Sequence, residues 1–503
     1  MPKRQRVVII GAGFGGIGLG HALSAAGIQD YAILEKGPDL GGVWRDNGYP
    51  GAACDVPSHL YSFSFEPKFD WSRKYAPQSE ILAYLREVAD KYGITTHVRT
   101  HTEVVRASFD ERRALWCVTT QHGDTLECDV LVSAVGQLSR PALPRIEGLE
   151  AFQGRSFHSA AWDHSFDPTG RRVAVIGTGA SAIQIVPSIQ PKVARLSLFQ
   201  RSAAYVVPRN DRAYSSLEKS LLGRFPVLHT LSRGLTYGLL ELRMLAFLRP
   251  ELALPALERQ CAQHLSSHIT DPELRRKLTP DYPVGCKRVL LSDDYFPALA
   301  QPNATVVTDP IARIESDAIL TADGTRHPVD AIIFGTGFHA TEFLSPIEIL
   351  GAGGVSLQHA WREGAEAYLG VTVSGFPNLF MLYGPNTNLG HTSIVYMLES
   401  QIRYVMEALS LMQRENLASL EPRKEVQLQF NRGLEARLAK LVWSENCTNW
   451  YKTASGKNTN NWPGYTFTYR AATRRIREAD YVLKPRKAPK GHNAAQKPLG
   501  ELN

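Results

Sequence analysis

The run Val7-Val8-Ile9-Ile10-Gly11-Ala12-Gly13-Phe14-Gly15-Gly16 decides the fold. Four β-branched apolar residues in succession leave no polar face. That pattern predicts a strand buried on both sides, as in a parallel sheet. The glycines then divide the work. Gly11 permits a tight turn, Gly13 a close backbone approach to a pyrophosphate, and Gly16 close packing of helix on strand. The stretch 17–26 favours helix, and 31–35 reads as a second strand closed by Glu35. An acid about 20 residues beyond the turn is where a dinucleotide fold accepts hydrogen bonds from a ribose.

The phrase returns once, as Val173-Ala174-Val175-Ile176-Gly177-Thr178-Gly179-Ala180-Ser181-Ala182. Gly177 and Gly179 keep the first two glycine roles, and Ala182 takes the third. The following strand, 195–200, ends in Gln200-Arg201-Ser202 instead of an acid. A carboxylate there would repel a 2′-phosphate, whereas Arg201 can pair with one and Ser202 can hydrogen-bond to it. The second site is therefore read as NADP(H). Two dinucleotide sites in one chain imply electron transfer between them, and FAD is the economical partner at the first, because nicotinamide passes hydride readily to flavin. Disulfide reductases share this plan but need a redox CxxC, and the sequence has none.

Further strands are expected at 130–135, 331–334 and 379–383, and helices at 78–92, 216–248, 252–268 and 393–413. The fold class expected is α/β, with two doubly wound, Rossmann-like dinucleotide-binding domains and a helical insertion. Residues 1–148 form the first part of one domain and 370–483 its second part. Residues 149–369 form the other, with the insertion at about 212–290. Residues 484–503 read as a disordered basic tail.

The chain has 503 residues, 44% apolar and 21% charged, with a formal net charge of +7. The whole excess lies at the two ends: Lys3, Arg4 and Arg6, then Lys484, Arg486, Lys487, Lys490 and Lys497 against Glu501. Residues 7–483 are formally neutral, so the basic balance does not indicate nucleic acid. Six scattered cysteines make neither a disulfide framework nor a metal site, which points to a reducing, cytoplasmic setting. The stretch 7–28 is too glycine-rich for a signal peptide. The leucine-rich 216–256 is interrupted by charge and reads as amphipathic helices without stable membrane insertion. Their apolar character suggests a pocket for a lipophilic substrate.

Four further stretches carry a family resemblance. Gly41-Gly42-Val43-Trp44-Arg45-Asp46-Asn47-Gly48-Tyr49-Pro50-Gly51-Ala52-Ala53-Cys54-Asp55 resembles the GxWxxxxYPGxxxD signature of class B flavoprotein monooxygenases. Phe152, Gly154, His158, Trp162 and Asp163 fit FxGxxxHxxxW(P/D), the fingerprint of their Baeyer–Villiger members. Asn386-Thr387-Asn388-Leu389-Gly390-His391-Thr392-Ser393 and Phe334-Gly335-Thr336-Gly337-Phe338 are similar to the same family. The resemblance covers roughly residues 5–470.

It implies an NADPH- and dioxygen-dependent enzyme in which a C4a-peroxyflavin attacks a ketone to give an ester or lactone. It also implies a catalytic arginine at Arg288, within Gly285-Cys286-Lys287-Arg288, with Asp55 as its carboxylate partner and Lys287 near the NADP phosphate. The cofactor contacts expected around the first turn are Gly11, Gly13, Phe14, Gly16 and Glu35, with Val43, Trp44, Asp55, Tyr61 and Val104. Around the second they are Gly177, Thr178, Gly179, Ala180, Ser181, Ala182 and Gln184, with Arg201, Ser202 and Lys287. His158 and Trp162 are read as coupling the domains. Asn449-Trp450-Tyr451 resembles the family's mobile loop, after which 452–464 departs from the best-known cycloketone enzymes. Two alternatives remain open: N- or S-oxygenation by the same flavin, and a poorly coupled NADPH oxidase. The oligomeric state is not fixed.

Overall fold

A computed structural model of the chain describes residues 3–445, 447 and 449–486. The opening run forms the strand Lys3–Ile10, followed by the helix Phe14–Ala25 and the strand Tyr31–Leu34. Val7 pairs with Tyr31 and Ile10 with Leu34 in parallel register. The lack of alternation in the run has a direct cause. Val7 and Ile9 enter the core on one face of the sheet, and Val8 and Ile10 enter another core on the opposite face.

This sheet has eight strands. Its parallel centre places Val98–Arg99, Tyr31–Leu34, Lys3–Ile10 and Thr125–Ser133 side by side, and Leu379–Met381 also pairs with Thr125–Ser133. An antiparallel flank (Leu115–Thr120, Val104–Asp110) and the short Glu348–Leu350 complete it.

The second sheet has five strands, all parallel, in the order Ala304–Val307, Arg195–Phe199, Arg172–Ile176, Ala331–Phe334, Arg155–His158. Val173 and Val175 face one core, and Ala174 and Ile176 the other. The sequence echo thus becomes a structural one. Gly11 N–H donates to Leu34 O at 2.8 Å, and Gly177 N–H donates to Phe199 O at 3.0 Å. Ile10 O accepts from Ala134, and Ile176 O accepts from Gly335, both at 2.8 Å.

The helical insertion leaves and rejoins this unit between Val206–Val207 and Leu290–Leu291, which pair in parallel. Its helices are Ser216–Arg224, Pro226–Leu242, Met244–Leu248, Pro250–His268 and Pro272–Leu278. The single helix expected over 216–248 is broken before Pro226, since proline fits a first helical turn, and again at Arg243. The start of the expected disordered tail is corrected. Lys484 and Pro485 end the strand Tyr481–Pro485, which pairs antiparallel with Leu417–Pro422. Residues 487–503 lie outside the described residues. Among the described residues, no helix is long and apolar enough to cross a membrane.

Candidate functional site

Both glycine turns open onto a single cavity of about 1220 Å³. Two features put them there. Gly11 has φ +104°, and a Cβ on it would lie 2.7 Å from Ala134 O; Gly177 has φ +117°, and a Cβ on it would lie 2.3 Å from Gly335 O. Only glycine satisfies both demands. Gly13 faces Gly42 closely enough that a Cβ on Gly42 would approach Gly13 Cα to 3.2 Å. At Gly179 a Cβ would meet nothing within 4 Å, so bare backbone faces open space there.

Of the expected first-turn contacts, Gly11, Gly13, Phe14, Glu35, Val43, Trp44, Asp55, Tyr61 and Val104 line the cavity. Gly16 does not. It lies beneath the turn, where a Cβ would fall 2.0 Å from Gly11 O. Around the second turn, Gly177, Thr178, Gly179, Ala180, Ser181, Gln184, Arg201, Ser202 and Lys287 line it. Ala182 is buried behind it, facing Gly335.

Glu35 is buried, and its carboxylate accepts from Ala12 N–H at 2.9 Å, Gly37 N–H at 2.8 Å and Arg45 Nη1 at 2.8 Å. Trp44 Nε1 donates to Tyr61 Oη at 3.1 Å. Gln184 joins the two units, accepting from Tyr49 Oη at 3.0 Å and donating to Ala53 O at 3.0 Å. Below the second turn, Lys287 Nζ donates to Ser202 Oγ at 2.9 Å and sits 4.1 Å from the Tyr282 ring centroid. Thr178 Oγ1 donates to Ser202 O at 3.0 Å. Burial and then the neighbouring Arg201 lower the pKa of Lys287. The cations Arg201 and Lys287 thus share one end of the cavity with a hydroxyl between strands, a suitable seat for a phosphate.

Arg288 Nη2 donates to Asp55 Oδ2 at 2.6 Å. The two side chains are 30% and 27% exposed, and both line the cavity wall. Burial pushes the Asp55 carboxyl up, but the charge and hydrogen bond of Arg288, with help from Arg209, outweigh it and hold the group below the ordinary carboxylate value. The charge of Asp55 in turn raises the guanidinium further, so Arg288 stays cationic. Tyr383 and Tyr451 feel that charge. Burial pushes the Tyr451 phenol up to about 12.

Residues the sequence reading missed complete the surroundings. Arg209 Nη2 holds Cys54 O at 2.8 Å, and Tyr383 Oη donates to Asn388 Oδ1 at 2.6 Å. Arg209 lies in an unremarkable loop and had no signal. Tyr383 follows a buried strand and could have been suspected from that alone. Trp450 reaches the cavity wall, whereas Trp462 is core, packed edge-on to Tyr469.

The fingerprint residues lie outside the cavity. His158 is buried at the end of an edge strand, its Nδ1 accepting from Ala160 N–H at 3.1 Å and its ring against Phe338. Burial lowers its pKa. Trp162 packs on Phe157, and Asp163 pairs with Arg155 at 3.3 Å. Phe152 is partly buried against the second unit's core, and a Cβ on Gly154 would strike Asp330 O at 2.4 Å.

Two expectations are corrected. The leucine-rich helices do not wall this cavity: no residue of 212–260 lines it, and many of their leucines are exposed. The cysteines are not all unpaired either. Cys286 and Cys447, 161 residues apart, form a disulfide beside the Lys287–Arg288 segment. Their separation in sequence hid the pairing. Among the described residues no cluster suits a metal ion.

Comparison with known proteins shows the family. Residues 8–219 match the family model described as pyridine nucleotide-disulphide oxidoreductase, a span holding both glycine turns. A Baeyer–Villiger monooxygenase of Streptomyces coelicolor is 47% identical over 501 residues, 99% of this chain and 96% of that protein. The chain belongs to the Baeyer–Villiger monooxygenases. A second relative of that name, from Pseudomonas aeruginosa, is 48% identical over 96% of this chain and 92% of its own length. Among solved structures, steroid monooxygenase bound to NADP superposes with a TM-score of 0.88 at 29% identity, covering 96% of this chain and 100% of that one. Cyclohexanone monooxygenase from Rhodococcus bound to NADP+ gives 0.88 at 27% identity, covering 97% and 100%. For a Baeyer–Villiger monooxygenase, the absence of a CxxC from the sequence is expected, because the electrons that nicotinamide gives to flavin go on to dioxygen and not to a disulfide.

Proposed function

We propose that this monooxygenase uses FAD, NADPH and dioxygen to convert ketones to esters or lactones. The observation that carries the reading is the Arg288–Asp55 pair standing in the wall of the cavity that both glycine turns share. FAD fits the first turn and NADP(H) the second. The glycine backbones leave cradles that a Cβ would fill, and the Arg201–Lys287–Ser202 cluster suits a 2′-phosphate. Bound there, FAD supplies a ring that accepts hydride and activates dioxygen.

The protein's own groups do the rest. The backbone at Gly11–Gly13 and Gly177–Gly179 approaches the pyrophosphates, each at the start of a helix whose N-terminus favours an anion. Arg288 holds negative charge on oxygen as it develops at the reacting carbonyl. Arginine suits this because it stays charged when desolvated. Asp55 fixes the guanidinium's direction and holds no proton at neutral pH. Tyr383 and Tyr451 remain protonated and neutral beside it. We assign residues 1–148 and 370–483 to the FAD unit, and residues 149–369, with the insertion at 212–290, to the NADP unit. Phe152, Gly154, His158, Trp162 and Asp163 are assigned to coupling the units.

The test is product formed per NADPH consumed, over aliphatic, cyclic and aryl ketones, with amines and sulfides alongside. Ester or lactone in step with NADPH supports the reading. N- or S-oxides alone, or hydrogen peroxide in place of product, overturn it.

A further inference from the structure

The helix Pro226–Leu242 is built inside out. Its His229, Arg233, Tyr237 and Glu241 recur every fourth residue and turn inward, each against the body of the protein. Arg233 donates to His59 O at 2.7 Å and to Ser62 O and Oγ at 3.0 Å. Tyr237 Oη meets Thr466 Oγ1 at 3.1 Å. Glu241 accepts from Thr466 N–H at 3.0 Å and Oγ1 at 2.7 Å, and lies 3.2 Å from His391 Nε2. The apolar residues face out: Val227 is 69% exposed, Leu235 70% and Leu239 66%, with Leu228, Leu231 and Leu242 beside them. At 3.6 residues per turn these six fall within an arc of about 120°. Leu245, Leu248 and Leu252 after this helix, and Phe225, Leu221 and Leu217 before it, are exposed as well. A soluble surface scatters such residues singly; a continuous run marks a contact with something apolar.

The charges around the stripe say what that something is. Arg224, Arg243 and Arg249 are exposed along it. The acids of the same stretch are taken: Glu218 is held by both Arg212 nitrogens, and Glu241 is buried. The first free carboxylate is Glu251, at the start of the next helix. An apolar helix face rimmed by arginines fits the interface of an anionic bilayer, where leucines enter the acyl boundary and arginines reach headgroup phosphates. It fits a second copy of this chain poorly. A two-fold contact would set one arginine rim against another.

We infer that the helices from Ser216 to Leu248 dock the enzyme, without spanning, on an anionic phospholipid surface. No residue of this face lines the cofactor cavity, so docking and turnover are separable.

The experiment is flotation of the FAD-loaded full chain with phosphatidylcholine vesicles, with and without roughly one-third phosphatidylglycerol. The expected result is flotation with the anionic vesicles, weakened by salt. The triple variant Leu231→Glu, Leu235→Glu, Leu239→Glu should float at least about tenfold less, with bound flavin and turnover of a dissolved substrate unchanged. Should that variant lose flavin, Arg224→Glu with Arg249→Glu decides, and it should lose preference for anionic over neutral vesicles. Equal flotation of wild type and variants overturns the inference. So does a dimer in solution that the leucine variants split, with no vesicle binding by either form.

Discussion

Arg288 and Asp55, 233 positions apart, meet at 2.6 Å in the wall between the two nucleotide units. One comes from the unit carrying the second glycine turn and the other from the segment following the first. Their contact therefore exists only when the units are docked. Arg288→Ala should leave NADPH-driven flavin reduction within a few-fold of wild type. Ester or lactone formation should fall by about 10²-fold or more, the cost of removing one preorganised charge from a dry site. Stopped-flow reduction beside product analysis separates the two. Unchanged product yield would remove Arg288 from the chemistry.

Next to Arg288 in the chain, Lys287 is held to Ser202 at 2.9 Å, and Arg201 lines the same cavity. Arg201→Ala should raise the KM for NADPH about tenfold or more and barely move that for NADH, since only the former carries the phosphate. Parallel shifts for both cofactors would place the 2′-phosphate elsewhere.

The paired turns predict unequal tolerance of one added methyl. Gly11→Ala combines a positive φ with a 2.7 Å clash against backbone and should yield protein without flavin. Gly179→Ala has space for its Cβ and should fold with flavin bound, while the methyl occupies cavity and raises the KM for NADPH. Flavin absorbance per chain and steady-state kinetics check both.

These turns were legible because everything that makes them is local: a β-branched run, glycines at fixed offsets, and the closing residue of the next strand. Arg288 and Asp55 were legible only through resemblance, because nothing within either segment points to the other. The leucine-rich insertion shows where sequence reading stops. Its composition announces amphipathic helices, but composition does not tell which face is inward. The fourfold spacing of His229, Arg233, Tyr237 and Glu241 held that information, and it went unused because polar residues are expected outside.

The Cys286–Cys447 disulfide anchors the peptide that delivers Lys287 and Arg288 to the segment leading into Trp450 and Tyr451. Cys447→Ser, or reductant on wild type, should lower stability by about 2–4 kcal/mol and cost coupling more than flavin reduction. Denaturant unfolding with and without reductant measures the first. No difference between the two conditions would mean that the bond contributes nothing to the folded state.

A last prediction concerns acid. His59 and His229 are buried with ring centroids 5.0 Å apart where the insertion helix meets the loop that carries His59. Burial lowers both from 6.5 to about 4, reinforced at His59 by His229 and Arg233 and at His229 by Arg233. Glu218 opposes the shift at His59, while Arg212 adds to it. Both rings are therefore neutral in the folded protein at values where the unfolded chain has already taken up protons. Unfolding lets these two rings bind protons between about pH 6.5 and pH 4, so their contribution to stability is lost as pH drops through that window and is constant above it. His229→Phe removes one of the two sites and should flatten the fall in Tm across the window, with little change at pH 7. An undiminished slope in that variant would assign the acid sensitivity to other groups.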